Sequence, residues 1–249
     1  MRKFILRRAI FAVFSIILAT FAVFLISRAA GDPLDLYANS GYGLSEEGER
    51  ALRKKLALDR PVVVQYGLWL GKTLQGDMGE TLLERKPVTR TITQRLPATI
   101  HLGLVAFIGS FAVGIPLGIL SAVKRGSLLD YCGRFIALLG QAVPQFWLGL
   151  VLIFIFAVQL RLLPAGLRGD GLWDVKHLIL PSITMASGGL AYYTRITRTA
   201  MLQVLDSEYI RLARAKGVSN NVVIWKHAFK NAIIQPLTGM TLGLTFFLS

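Results

Sequence analysis

Five intervals of the chain contain no Asp, Glu, Lys or Arg: Ala9–Ser27, Leu96–Val123, Phe135–Leu160, His177–Thr194 and Asn231–Ser249. An apolar helix of about 18 to 25 residues matches the ~30 Å hydrocarbon core of a bilayer, so each interval is predicted to cross a membrane. Val62–Gly71 is apolar but too short to span. The expected fold is an all-α membrane protein, a polytopic helical bundle.

Between the intervals the pattern changes. Gly31-Asp32-Pro33-Leu34 predicts a turn that ends the first span, and residues 31–95 mix charges of both signs. A helical pattern around Glu46–Leu58 and an amphipathic piece at Val62–Leu74 predict a small folded segment there rather than a linker. The second span carries Gly114-Ile115-Pro116-Leu117-Gly118, small residues four apart that let helices approach closely. In the third, Pro144 is expected to kink or break the helix, with Gln141 and Gln145 four apart on one face. Those two amides and Pro144 are candidate lining of a polar path, or else partners in interhelical hydrogen bonds. Ser182, Thr184, Ala186, Ser187, Gly188 and Gly189 suit the fourth span to a central place in the bundle.

The stretch Asp206–Pro236 is different again: basic, helix-forming, and set between two apolar runs. Asp206 or Ser207 can cap a helix there, Glu208 suits its positive end, and Arg214 and Lys216 suit its negative end. Gly217 supplies the stop. Tyr209, Leu212, Ala213 and Lys216 share one face, and Ile210, Ala213 and Gly217 share the next. A second helix can begin at Ser219 and run through Val222, Val223, Trp225, Ala228 and Phe229.

Charge decides the orientation. The 249-residue chain carries a formal net charge of +14 and 53% hydrophobic residues. With the N-terminus inside, each side of the membrane holds 14 of the 28 basic residues, but the inner side holds only 3 of the 14 acidic ones. The excess follows the positive-inside rule and does not describe a nucleic-acid surface. Cys132, the single cysteine, falls in an expected cytoplasmic loop and offers neither a disulfide nor a metal framework. Gly67-Leu68-Trp69-Leu70-Gly71-Lys72-Thr73 has three residues between its glycines where a phosphate-binding loop needs four, so no ATP site is expected in this chain. No zinc-protease, nucleophile-elbow or Cys-x-x-Cys motif occurs, and the few carboxylates are expected in loops.

Tyr209-Ile210-Arg211-Leu212-Ala213-Arg214-Ala215-Lys216-Gly217, followed by His227-Ala228-Phe229-Lys230-Asn231-Ala232, resembles the cytoplasmic loop of binding-protein-dependent ABC importer permeases of the dipeptide, oligopeptide and nickel branch. The wider family's motif is Glu-Ala-Ala, three residues, Gly, nine residues, Ile-x-Leu-Pro. Only Ala213 and Gly217 match it, whereas the Arg-x-Ala-Arg-Ala-Lys-Gly variant is typical of this branch. Leu58-Asp59-Arg60-Pro61, Gly76-Asp77-Met78-Gly79 and Leu96-Pro97-Ala98-Thr99 are also similar to the family.

That resemblance implies a type I importer permease in a bacterial inner membrane, multi-pass, with a cytoplasmic N-terminus. Residues 1–30 would form the first span, 31–95 an extracytoplasmic segment, and 96–249 the transport core with a coupling loop at 206–230. Five of an expected six spans are present, so the chain is expected to stop in or just after its fifth. Glu208, Tyr209, Arg211, Ala213, Arg214, Ala215, Lys216 and Gly217 would couple the path to ATPase subunits. The implied partners are two ATPase subunits that hydrolyse ATP, a second homologous permease chain, an extracytoplasmic solute-binding protein and membrane lipid. This chain itself would bind no cofactor, metal or nucleic acid. Its solutes would be peptides, nickel or similar small molecules. Two other readings stand beside this one. An ion-gradient-driven secondary transporter should show inverted repeats and intramembrane acidic residues, neither of which is evident. A membrane-anchored sensor would need a soluble signalling domain. The basic stretch could also serve only as an anchor on anionic lipid.

Overall fold

The computed structural model describes residues 1–31, 34, 46–81, 84, 86–166, 169, 171 and 174–248. Asp32 and Pro33 of the expected turn, and Ser249, lie outside the described residues. The chain divides into two compact units, Met1–Arg95 and Leu96–Ser249.

In the first unit, α1 (Arg2–Ala29) is long, apolar and exposed along its length, as a helix facing lipid should be. Two shorter helices follow, α2 (Glu46–Lys55) and α3 (Val62–Leu74). Tyr66 fastens α3 to α1. Its buried ring sits edge-on to Phe21 and Phe24, with centroids 5.0 and 5.6 Å away. Its hydroxyl lies 2.9 Å from that of Thr20 and donates to the Ile17 carbonyl at 3.2 Å. A buried phenol that met no partner would forfeit the hydration it gave up, so this contact sets where α3 crosses α1. The Gly67–Thr73 segment lies inside α3, with its amides committed to the helix rather than curled into a loop.

The second unit is built around α7 (Val175–Leu205). It receives the inner part of α4 (Val88–Val123), α5 (Leu128–Ala142), α6 (Gln145–Leu152) and, further on, α11 (Ile234–Leu248). Lipid gives no hydrophobic drive to helix association, so close packing of small residues must supply it. A Cβ on Gly118 of α4 would sit 2.6 Å from the Thr194 carbonyl oxygen and 2.8 Å from the Thr197 Cβ. One on Gly140 of α5 would lie 2.8 Å from the Ser187 carbonyl oxygen. Gly189 of α7 similarly admits Ser110 and Phe247. The small-residue stretch of the fourth interval therefore occupies the centre of the bundle.

Helices occupy all five charge-free intervals, with different bounds. Among the described residues, Arg2–Ala29 and Val88–Val123 are each long and apolar enough to cross a membrane, and the bent pair Leu128–Ala142 and Gln145–Gln159 makes a third if it is one span. The bend at Pro144 is 107°, so the third interval is broken rather than gently kinked. Val143 is extended (φ −86°, ψ 124°) and Pro144 takes the N-cap position of α6, whose last turns widen into a π-helix at Ile153–Gln159. The expected cytoplasmic loop shrinks to residues 124–127, because Ser127 caps α5 by accepting from the Asp130 amide. Asp130 and Cys132 thus lie in a helix, not a loop. The fourth interval extends well past Thr194, to Leu205.

Gly118→Ala should lower the detergent melting temperature by several degrees, since overpacking a helix crossing costs about 1–3 kcal/mol. Gly109→Ala on the same helix, where a Cβ meets nothing within 4 Å, should not. Thermal unfolding of the two purified variants, followed by intrinsic tryptophan fluorescence, makes the comparison.

Candidate coupling site

Beyond Leu205 the chain turns once and forms α8 (Glu208–Ala215). Ser207 holds the N-cap position, but its hydroxyl donates to the Val204 carbonyl instead of accepting from the helix. Asp206 does not cap either; its carboxylate lies 3.8 Å from Arg125. The start of α8 is set by the Ser207 carbonyl, which accepts from the Ile210 and Arg211 amides at 3.2 Å. Glu208 in the first turn and Arg214 in the last complement the helix dipole.

The end of α8 is a Schellman motif. Gly217 has φ +75°, its amide donates to the Arg214 carbonyl at 3.0 Å, and the Val218 amide donates to the Ala213 carbonyl at 3.2 Å. Both bonds depend on the left-handed residue between them, which is why glycine stands there.

Ile210 decides how α8 is held. It is fully buried, in a cluster with Ile119 and Ala122 of α4, Ala200 and Met201 of α7, and Val223, Ile224, Ala228 and Ala232. The last four lie on a second helical stretch: α9 (Asn220–Val222), a π-helix at Val223–Phe229, and α10 (Lys230–Ala232). That stretch begins after Ser219, as its sequence suggests. Ala213 is half-buried against the same cluster, so it faces the protein's own core as much as the outside. The outward face of α8 carries Tyr209 and Leu212, the latter 57% exposed, with Arg211, Arg214, Ala215 and Lys216 exposed beside them. Arg211 donates to Glu208 at 2.8 Å, and Asn231 donates to the Tyr209 hydroxyl at 3.1 Å. Exposed Trp225 packs edge-on to Phe229 nearby, with centroids 5.5 Å apart. The result is an apolar patch ringed by cations, fixed from behind by Ile210.

The candidate path residues fall elsewhere. Because the helix breaks at Val143, Gln141 and Gln145 do not share a helical face; each instead meets α7. Gln141 accepts from Arg195 at 2.9 Å, and Gln145 lies beside Gly188. Neither lines the apolar cavity of ≈ 680 Å³ between α4, α5, α6 and α7, whose walls include Val113, Leu139, Trp147 and Ser187. Among the described residues no group of three His, Cys, Asp or Glu side chains could hold a metal ion.

One group escaped the sequence reading. Asp130 is 1% exposed and accepts from Ser121, from the Gly126 amide and twice from Arg198. Its only signal in the sequence was a lone carboxylate three residues after Ser127, the spacing of a capped helix.

Comparison with known proteins agrees with this architecture. Residues 114–249 match the family described as binding-protein-dependent transport system inner membrane component, and residues 1–103 match the N-terminal region of such membrane components. The chain belongs to this family. It is a permease subunit of an ABC importer, a multi-pass inner-membrane protein that works with other components of such a system and is itself a transport component rather than an enzyme. The oligopeptide transport system permease protein AppB of Bacillus subtilis (strain 168) is 37% identical over 256 residues, covering 100% of this chain and 80% of its own length. The dipeptide transport system permease protein DppB of Alkalihalophilus pseudofirmus is 41% identical over 211 residues, covering 75% of this chain and 63% of its own. The reading as an ion-gradient-driven transporter is not favoured.

Gly217→Ala should weaken the end of α8 through the backbone alone, because a Cβ there meets nothing within 4 Å. A cost of about 1 kcal/mol should speed hydrogen exchange of the Val218 amide about fivefold, with Gly217→Asn affected less.

Proposed function

We propose that this permease carries peptides handed over by an extracytoplasmic solute-binding protein, and that α8 is the element through which two separate ATPase subunits drive it. The names of the oligopeptide and dipeptide relatives support the solute class. One observation carries the mechanism: α8 presents Tyr209 and Leu212 outward while Ile210 on its opposite side is sealed into the core formed by α4, α7 and the π-helical segment. A helix held this way moves with the helices behind it. Docking of α8 in a cleft of an ATPase subunit would turn closure of the ATPase pair into a displacement of α7 and α11.

In this reading Glu208, Arg211, Arg214, Ala215 and Lys216 edge the docked surface, and Ala213 and Gly217 fix its shape. The N-terminus is cytoplasmic, on the same side as α8, as the distribution of basic residues favours. ATP is hydrolysed by the partner subunits and no ATPase site is assigned to this chain. A second, homologous permease chain completes the path, to which Gln141, Pro144 and Gln145 contribute at the break between α5 and α6.

Leu212→Glu places a carboxylate on the outward face without touching the core. It should abolish co-purification of the ATPase subunits and reduce peptide uptake at least about tenfold, because charging an apolar docking anchor typically costs more than 1–2 kcal/mol. Asn220→Asp, exposed at the start of α9, is the control and should leave both unchanged. Equal behaviour of the two variants would show a basic lipid anchor instead. Ala213→Glu is less discriminating, since it also strikes the core.

A further inference from the structure

Asp130 is the one carboxylate sealed from solvent among the described residues, and its pairing with Arg198 gathers four pieces of the second unit at a single point. Oδ1 of Asp130 accepts from the Ser121 hydroxyl at 2.6 Å and from Arg198 Nε at 2.7 Å. Oδ2 accepts from the Gly126 amide at 3.0 Å and from Arg198 Nη2 at 3.1 Å. Arg134 Nε lies 3.6 Å from Oδ1. The carboxylate therefore ties the end of α4, the turn at Gly126 (φ +80°), the start of α5 and the last third of α7 together. Arg198 stands on the same stretch of α7 as Ala200 and Met201, which seat Ile210 of α8. Beside it, Arg125 of the turn faces Asp206, immediately ahead of α8.

We infer that Asp130 and Arg198 are positioning residues for transport, the joint that makes α5 follow the coupling helix. This rests on the reading of α8 given above and extends it to a further element. The inward cluster transmits displacement of α8 to α7 by contact alone. α5 packs on α7 toward its far end, where Gly140 approaches Ser187 and Ala191, but it contributes nothing apolar to that cluster, so at its start the bidentate pair is the direct tie to the stretch of α7 that seats α8. Motion of α5 then reaches the break at Val143 and Pro144, where its far end meets α6. A planar guanidinium fork on a carboxylate fixes angle as well as distance, which a joint requires and a lysine would not provide. Breaking a buried pair on one side leaves an uncompensated charge, so the joint holds through the cycle.

Asp130→Asn is nearly isosteric. Its Oδ1 can still serve Ser121 and Arg198 Nε, but its amide nitrogen would meet two donors, the Gly126 N–H and Arg198 Nη2, and the turn and fork would be released. The test uses the full complex in lipid nanodiscs, with spin labels on native Cys132 of α5, which is exposed, and on a cysteine at Asn220, in partners free of cysteine. In the otherwise native chain the distance between labels should stay the same and narrowly distributed with and without trapped ATP. In Asp130→Asn the ATPase subunits should still co-purify, while that distance changes between the two states and uptake per ATP hydrolysed falls about tenfold, within the usual range of a coupling between sites. Arg198→Lys keeps the charge without the fork and should show a smaller loss of the same kind, which decides the matter if Asp130→Asn does not assemble. Unchanged uptake per ATP and an unchanged distance in whichever variant assembles would overturn the joint. Failure of the ATPase subunits to co-purify with the native chain would instead overturn the coupling reading on which it stands.

Discussion

The burial of Ile210 is what fixes α8, and the proposed coupling role depends on that fixed rear. One fully enclosed side chain touches residues from α4, α7 and the π-helical segment, so an eight-residue helix that would be marginal by itself acquires a defined position. Removing an isoleucine from water is worth about 1.5–3 kcal/mol, which is large beside the few tenths that an exposed pair such as Glu208 with Arg211 contributes. The Schellman stop at Gly217 and the return through Val223 and Ala228 then follow from the need to bring a second helix back over that same cluster.

The seat is rigid because the helices behind it are close. Glycines at 118, 140 and 189 let backbones meet at distances where a methyl group would clash. Apolar side chains alone could not achieve this in lipid, where they gain nothing by leaving the solvent. α7 runs from this packed centre almost to the first residue of α8, with one turn between them, so little slack separates the membrane core from the patch of Tyr209 and Leu212. The 107° break between α5 and α6 is the opposite kind of feature, a place where the backbone ladder is interrupted and two polar amides, Gln141 and Gln145, reach α7.

Much of this was legible in the sequence. The charge-free intervals mark where the main helices run, the bounds of α3 follow its amphipathic pattern, and Gly217 announces the end of α8 because few other residues accept φ +75°. What the sequence pattern hid has physical reasons. Charge-free intervals locate lipid-facing stretches, not helix ends, so α7 runs on past Arg195 and Arg198 and α5 starts before Phe135. A π-helical turn has no residue signature of its own, and the two at Ile153–Gln159 and Val223–Phe229 were invisible. Helical spacing put Ala213 on two faces at once, and only tertiary packing against Ile210 shows that it turns inward. The Asp130 pair joins residues 68 apart in sequence, a distance over which no local pattern operates.

The central claim, that α8 docks on an ATPase subunit through its outward face, is tested most directly by site-specific photo-crosslinking in the intact complex. A photoreactive amino acid in place of Leu212 should yield a crosslink to the ATPase subunit, whereas the same group at exposed Leu138 of α5, inside a charge-free interval, should not. Crosslinking of position 212 to lipid alone, with no adduct to an ATPase subunit, would contradict the account.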